Sequence, residues 1–255
     1  MASRLLPWGA AAIVRASRGA LRPLVRDASR VLSAGLVDHV TLRTLAIDRA
    51  VERAVASGAA QCVILGAGLD TRAHRLAVLG SVPTFEVDHP AMQAEKRKRM
   101  ATAEIANDRV IYAPIDFHHD SLEDVLAAAG HDAARATLWI WEGVTMYLTR
   151  AATEATLGTI ARASAPGSEL ALTYVVPRGI PRGSAGVFVR AFFGALGEPL
   201  DGTFALSEMG ALLDSFGFEP REDTSSSEWA RTEGSSPLLP LAFRGERLVV
   251  ATKRG

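Results

Sequence analysis

The chain has 255 residues and a single cysteine, Cys62. One thiol excludes an intramolecular disulfide and a cysteine-based zinc site. An excess of either charge is also missing, because 28 Lys and Arg balance 28 Asp and Glu. A general nucleic-acid binder carries basic excess, so binding to phosphate backbones is not expected. No apolar run reaches the roughly 18–20 residues that span a bilayer, so no integral membrane segment is expected and the location is read as cytoplasmic. No cluster of side chains has the spacing of metal ligands, which disfavours metal-dependent chemistry. Internal repeats and long low-complexity tracts are absent too.

What is present suits a folded enzyme-sized unit. Hydrophobic residues make up 48% and charged residues 22%, ample for one core with at most a small subdomain. Residues 1–30 hold six arginines against one acid, Asp27. Arg15, Arg18, Arg22, Arg26 and Arg30 recur at helical spacing. They read as a solvated helix face, a cap over a site, or a contact for an acidic partner or membrane surface. The short apolar run Trp8 to Val14 has no small-residue cleavage site behind it, unlike a signal peptide.

From Val37 the pattern becomes regular. A helix to Ser57 carries Leu42, Leu45, Ile47, Val51 and Val55 as its apolar stripe and stops at Gly58. Strands are predicted at Gln61 to Leu65, Val82 to Val87, Arg109 to Ala113, Thr137 to Trp141 and Glu169 to Val176. Helices between them cover Thr71 to Leu79, Pro90 to Met100, Leu122 to Ala129 and Thr149 to Ser164. Such alternation implies a doubly wound, mostly parallel α/β sheet. Pro177 to Thr203 breaks the pattern and reads as a lid-like insertion. Ser207 is the expected N-cap of a helix to Phe216. Glu219 to Asp223 and Arg247 to Ala251 are expected to be terminal strands, with Thr224 to Pro237 a Ser-rich loop between them. The predicted division is a helical cap over residues 1–58 and a catalytic domain over 59–255.

Ligands of open α/β sheets bind beyond the carboxyl ends of the strands. Four polar features fall there. Gly66 and Gly68 follow the first strand and let backbone approach a ligand; a sharp turn alone would explain them equally. Thr71 stands where the dinucleotide fingerprint needs its third glycine. Asp88 lies twenty positions after Gly68, where a carboxylate accepts from both hydroxyls of a ribose; a helix cap is the plain alternative. Asp116 and Phe117 offer a carboxylate and a ring to an adenine, or simply cap a loop. Glu142 and Gly143 end an apolar strand and deliver one carboxylate to the crevice, or one paired core charge. Arg43, ahead of the first strand, suits a bidentate pair with a ligand carboxylate, or the surface.

Three segments then resemble one family. They are Val63 to Arg72, Phe85 to Pro90 and Trp141 to Leu148, with Arg43-Thr44 and Asp116-Phe117 fitting the same pattern. Together they resemble the leucine carboxyl methyltransferase-like family of enzymes dependent on S-adenosyl-L-methionine (SAM). The resemblance implies a class I methyltransferase fold, Rossmann-like, with seven strands and an antiparallel last one. It also implies SAM as cofactor and roles by position. Arg43 would hold the SAM carboxylate, and Gly66 and Gly68 would lie under the methionine part. Asp88 would bind the ribose, Asp116 and Phe117 would frame the adenine, and Glu142 would sit near the cofactor's amino group or methionyl side. The expected reaction is O-methylation of a carboxylate or hydroxyl on a small molecule. An NAD-dependent dehydrogenase and an inactive SAM-binding module are the competing readings. His118 and His119 are the nearest titratable side chains for a base, but exposed loop histidines are the plainer reading of them, and no catalytic base is assigned.

Overall fold

A computed structural model describes residues 36–105, 110–117, 119–177, 202–234 and 245–255. The N-terminal arginine run, His118 and most of the Pro177–Thr203 segment lie outside the described residues.

Strand β1 (Gln61–Leu65) is buried at every position. Its side chains alternate between two cores. Val63 and Leu65 join one apolar cluster, while Cys62 and Ile64 join the other. Covering on both faces is why the strand reads as a continuous apolar run. Strands β2 (Thr84–Asp88), β3 (Ile111–Pro114), β4 (Thr137–Trp141), β5 (Glu169–Val175), β6 (Phe218–Ser225) and β7 (Glu246–Lys253) complete a seven-stranded sheet in the order β3-β2-β1-β4-β5-β7-β6. Strands β1 to β5 run parallel, and β7 is antiparallel to both β5 and β6. Strand order reverses at β1, between β2 and β4, which opens the ligand crevice expected of doubly wound sheets.

Helix α1 (Leu36–Ala56) covers one face with Leu42, Ile47, Ala50, Val51 and Ala54. Leu45, expected in this stripe, is exposed instead, because it lies off the arc defined by Ile47, Val51 and Ala54. The opposite face is covered by α4 (Leu122–Ala128), α5 (Arg150–Arg162) and α6 (Leu206–Ser215), around buried Trp139 and Trp141. Trp139 donates its indole N–H to Ser164 Oγ at 2.8 Å, the satisfied state a buried indole requires. Met146 is buried.

Three elements differ from expectation. The predicted helix from Thr71 to Leu79 is a short α2 (Arg72–Arg75) followed by a 3-10 turn, Ala77–Ser81. Leu76 takes extended backbone between them, and Leu79 thereby enters the core under α1. Helix α6 is capped at Ala205, not Ser207, because the Glu208 carboxylate accepts from the Ala205 amide at 2.7 Å. The Ser-rich segment after β6 begins with helix α7 (Ser226–Thr232) rather than a loop. Ser225 and Glu228 form its capping box, the carboxylate accepting from the Ser225 amide at 2.7 Å. Helix α7 packs against α1.

Helix α3 (Pro90–Thr102) starts with Pro90 at its first position, where the missing N–H costs nothing. From its buried side Lys96 reaches under the sheet edge. Its ammonium donates to Glu86 Oε2 and, at 2.5 Å, to the Asp70 carbonyl. Both members of the pair are 1% exposed. Burial pushes the Glu86 carboxyl up to about 7, and Lys96 pulls it back only in part. The folded chain therefore holds this proton more tightly than an unfolded chain. Stability from the protonated form is complete below the usual glutamate range and is lost as pH rises through about 7. Replacing Glu86→Gln removes that decline, so the urea-denaturation free energy of wild type should fall relative to that of the variant between roughly pH 4.5 and 7. The expected result is a falling curve for wild type and a flatter one for Glu86→Gln.

Candidate functional site

The crevice forms where α1 crosses the carboxyl ends of β1 and β4. Its first part is a cleft of about 490 Å³. Val40, Arg43 and Thr44 line it from α1, the segment Ile64 to Arg72 from β1 and the following loop, and Glu142 and Gly143 from the end of β4. Gly66 and Gly68 both have positive φ, at 64° and 47°. A Cβ on Gly66 would stand 2.7 Å from Val144 Cγ2, so the turn closes only without a side chain. A Cβ on Gly68 would meet only the Gly66 carbonyl, at 4.0 Å, which leaves its backbone open to approach.

Charges in the cleft form one connected chain. Arg43 donates through Nε to Glu142 Oε1 at 2.7 Å. Arg72, 3% exposed, donates through Nη1 to the other oxygen, Oε2, at 2.6 Å. Arg72 also donates through Nε to Asp48 at 2.9 Å and through Nη1 to Asp70. Arg75 adds two further bonds to Asp48. On the other side Arg43 Nη1 donates to both oxygens of Glu246, at 2.9 and 3.0 Å. The His39 imidazole donates through Nε2 to Glu246 Oε2.

Burial works against the ionised forms of Arg43, Arg72 and Glu246, and their neighbours overcome it. Desolvation would lower the Arg43 and Arg72 guanidinium pKa values. The carboxylates Glu246 and Glu142 around Arg43, and Asp70, Glu142 and Asp48 around Arg72, raise them. Burial would raise the Glu246 carboxyl, but His39 and Arg43 hold it below the usual carboxylate range. Arg43, Arg72 and Glu246 therefore stay ionised at neutral pH, with the two cations facing anions rather than bulk water.

Asp88 ends β2 and turns its carboxylate to the glycine loop. Oδ2 accepts from the Gly68 amide at 2.5 Å and Oδ1 from the His89 amide at 2.7 Å. The cap of α3 is His89, whose Nδ1 accepts from the Ala91 amide at 3.2 Å. Each Asp88 oxygen keeps lone-pair capacity for a further donor.

A second cavity of about 390 Å³ meets the first at Leu65 and Gly66. Its walls are mainly apolar, with Phe117, Leu122, Trp141, Val144 and Leu148 among them, and Asp120 is its ionisable group. Phe117 is 58% exposed, an unusual state for a phenyl ring. Its neighbour Asp116 lines neither cavity; its amide donates to Asp120 at 2.8 Å.

The structure thus brings Arg43, Gly66, Gly68 and Glu142 to one cleft, ties Asp88 to it through Gly68, and puts Phe117 in the adjoining cavity. Arg72, Glu246 and His39 were given no role by the sequence. For Arg72 a signal existed, since it closes the segment Val63 to Arg72; for Glu246 and His39 none did. His119 is exposed. Among the described residues no group of three or more His, Cys, Asp or Glu could hold a metal ion, and no helix is long and apolar enough to cross a membrane.

Comparison with known proteins fits this arrangement. The family model described as leucine carboxyl methyltransferase matches residues 3–161, more than half of the chain. A "putative S-adenosyl-L-methionine-dependent methyltransferase" of Streptomyces coelicolor is 38% identical over 171 residues, which is 67% of this chain and 57% of that protein. One of the same description from Mycolicibacterium gilvum is 35% identical over 152 residues, 58% of this chain and 48% of that protein. The chain spans about half the length of the curated relatives it matches. Among solved structures, a "putative methyltransferase" from Thermobifida fusca superposes with a TM-score of 0.65 at 20% identity, over 87% of this chain and 84% of that one. At that identity the likeness speaks to the fold, a seven-stranded class I methyltransferase sheet. On the extent of the family match, the chain belongs to the leucine carboxyl methyltransferase family.

Proposed function

We propose that the chain binds SAM across the two joined cavities and methylates an oxygen, of a carboxylate or a hydroxyl, on a small-molecule acceptor. The observation that carries this reading is the pairing of a polar cleft with an apolar cavity through Gly66. SAM has matching halves: a zwitterionic amino-acid tail and a flat adenine, with a ribose diol between them. NAD has no amino-acid tail for Arg43 and Glu142 to meet, which counts against the dehydrogenase alternative.

On this reading Arg43 pairs with the tail carboxylate and Glu142 accepts from its ammonium. Gly66 and Gly68 let the methionine part lie against backbone, and Asp88 accepts from the ribose hydroxyls. Phe117 covers the adenine in the second cavity, with Asp116 beside it in sequence. Bound SAM supplies an electrophilic methyl group on a sulfonium. The chain contributes orientation and exclusion of water, which suffice for an in-line displacement. A carboxylate acceptor arrives ionised and needs no base, whereas a hydroxyl requires a proton acceptor nearby. No such base is assigned.

Two measurements test the reading. In a thermal-shift panel, SAM and its demethylated product S-adenosylhomocysteine should raise Tm while NAD and NADP leave it unchanged. A ligand at 100 times its Kd adds about 2.7 kcal/mol, or roughly 5–10 °C for a chain of this size. Stabilisation by NAD alone overturns the proposal. By calorimetry, Asp88→Ala should weaken SAM by about 1–3 kcal/mol through loss of a charged acceptor. Unchanged affinity in a folded variant would reduce Asp88 to a brace for Gly68.

A further inference from the structure

Arg43 has three nitrogens, and they have different tasks. Nε is committed to Glu142 and Nη1 to both oxygens of Glu246. Nη2 engages neither carboxylate. It lies 3.7 Å from where a Cβ on Gly143 would stand, with Cζ and Nη1 at 3.9 Å, so the guanidinium packs over Gly143, where the missing side chain leaves room for it. The planar guanidinium is a rigid fork, and fixing two of its nitrogens fixes the third. Arg43 Nη2 is thereby held beside Gly143, in the cleft that both residues line.

The group that fixes it is remote from every motif in the sequence. Glu246 opens β7, is 1% exposed, and lines neither cavity. It is held in turn by His39, one helical turn before Arg43 on α1. The His39 ring packs against Trp229 of α7, with centroids 6.1 Å apart and planes at 39°. Trp229 is pinned by its own indole N–H, which donates to Thr224 Oγ1 at 2.9 Å. His39, Glu246 and Arg43 therefore form a buttressed row ending at the cleft.

Resting on the SAM reading above, we propose that Glu246, braced by His39, is a positioning residue for the amino-acid carboxylate of the ligand: it orients Arg43 so that Nη2 is presented to that carboxylate. Glu246 touches no ligand itself. Its two oxygens take up Nη1, and the carboxylate of the ligand meets the nitrogen left over. A carboxylate that merely neutralised Arg43 would act in the opposite direction: removing its charge would tighten S-adenosylhomocysteine rather than weaken it.

The test compares two ligands on the full chain by isothermal titration calorimetry. S-Adenosylhomocysteine carries the amino-acid tail, and methylthioadenosine lacks it. Glu246→Gln keeps the side-chain shape and removes the charge. It should weaken S-adenosylhomocysteine about tenfold or more, as expected for losing a charge-assisted anchor, and leave methylthioadenosine within about twofold. Because Glu246 acts through Arg43, the double variant Arg43→Ala/Glu246→Gln should bind S-adenosylhomocysteine no more weakly than Arg43→Ala alone. Equal losses for both ligands, an unchanged affinity for S-adenosylhomocysteine, or losses that multiply in the double variant would each overturn the inference. If Glu246→Gln does not fold, His39→Gln carries the test: a smaller loss selective for S-adenosylhomocysteine supports it, and no loss overturns it. If the wild-type chain binds neither ligand, the SAM reading fails, an outcome distinct from all of these.

Discussion

Two arginines share one carboxylate at the end of β4, and much of the molecule is arranged around that sharing. Glu142 gives one oxygen to Arg43 from α1 and the other to Arg72 from α2. Ions this far from water are tolerated only when each has geometrically good partners. The requirement spreads outward. Arg72 needs Asp48 and Asp70, and Arg43 needs Glu246, which brings β7 and His39 into the same network. The helix over the crevice, the loop under it and the reversed strand at its side are therefore held in one mutual arrangement. Apolar packing supplies the driving force for the sheet, but it is non-directional. The ion chain sets where α1 sits along the carboxyl edge.

A network like this gives the crevice a definite chemical character. Its cations are already matched by carboxylates, so an incoming anion meets an oriented guanidinium edge rather than a loose positive charge. Next to it, across Gly66, the second cavity offers mostly apolar walls. On the proposed reading, one ligand with a charged end and a flat, weakly polar end satisfies both without stranding either.

Sequence patterns exposed the sheet and the strand ends clearly. Alternating cores make β1 and β4 read as apolar runs, and Gly66, Asp88 and Glu142 stand where such runs stop. What the patterns left out was pairing. Arg43 finds Glu142 across 99 positions and Glu246 across 203; no local spacing encodes either. The same limit hid His39, which in sequence is one more polar residue on an amphipathic helix. The break at Leu76 comes from tertiary packing of Leu79, which overrides a helical stretch. Helix α7 was obscured by composition: serines read as loop formers, yet Ser225 here is a cap and Glu228 its reciprocal partner.

The contact between His39 and Glu246 spans 207 positions. A chain emerging from the ribosome has synthesised β1, the glycine loop and β4 long before Glu246 exists. During that interval Arg43 lacks its second anchor, and β5 lacks its antiparallel neighbour. The Arg43 end of the crevice thus reaches its final geometry only when β7 docks against β5. A nascent chain stalled before β7 carries the motif segments without Glu246.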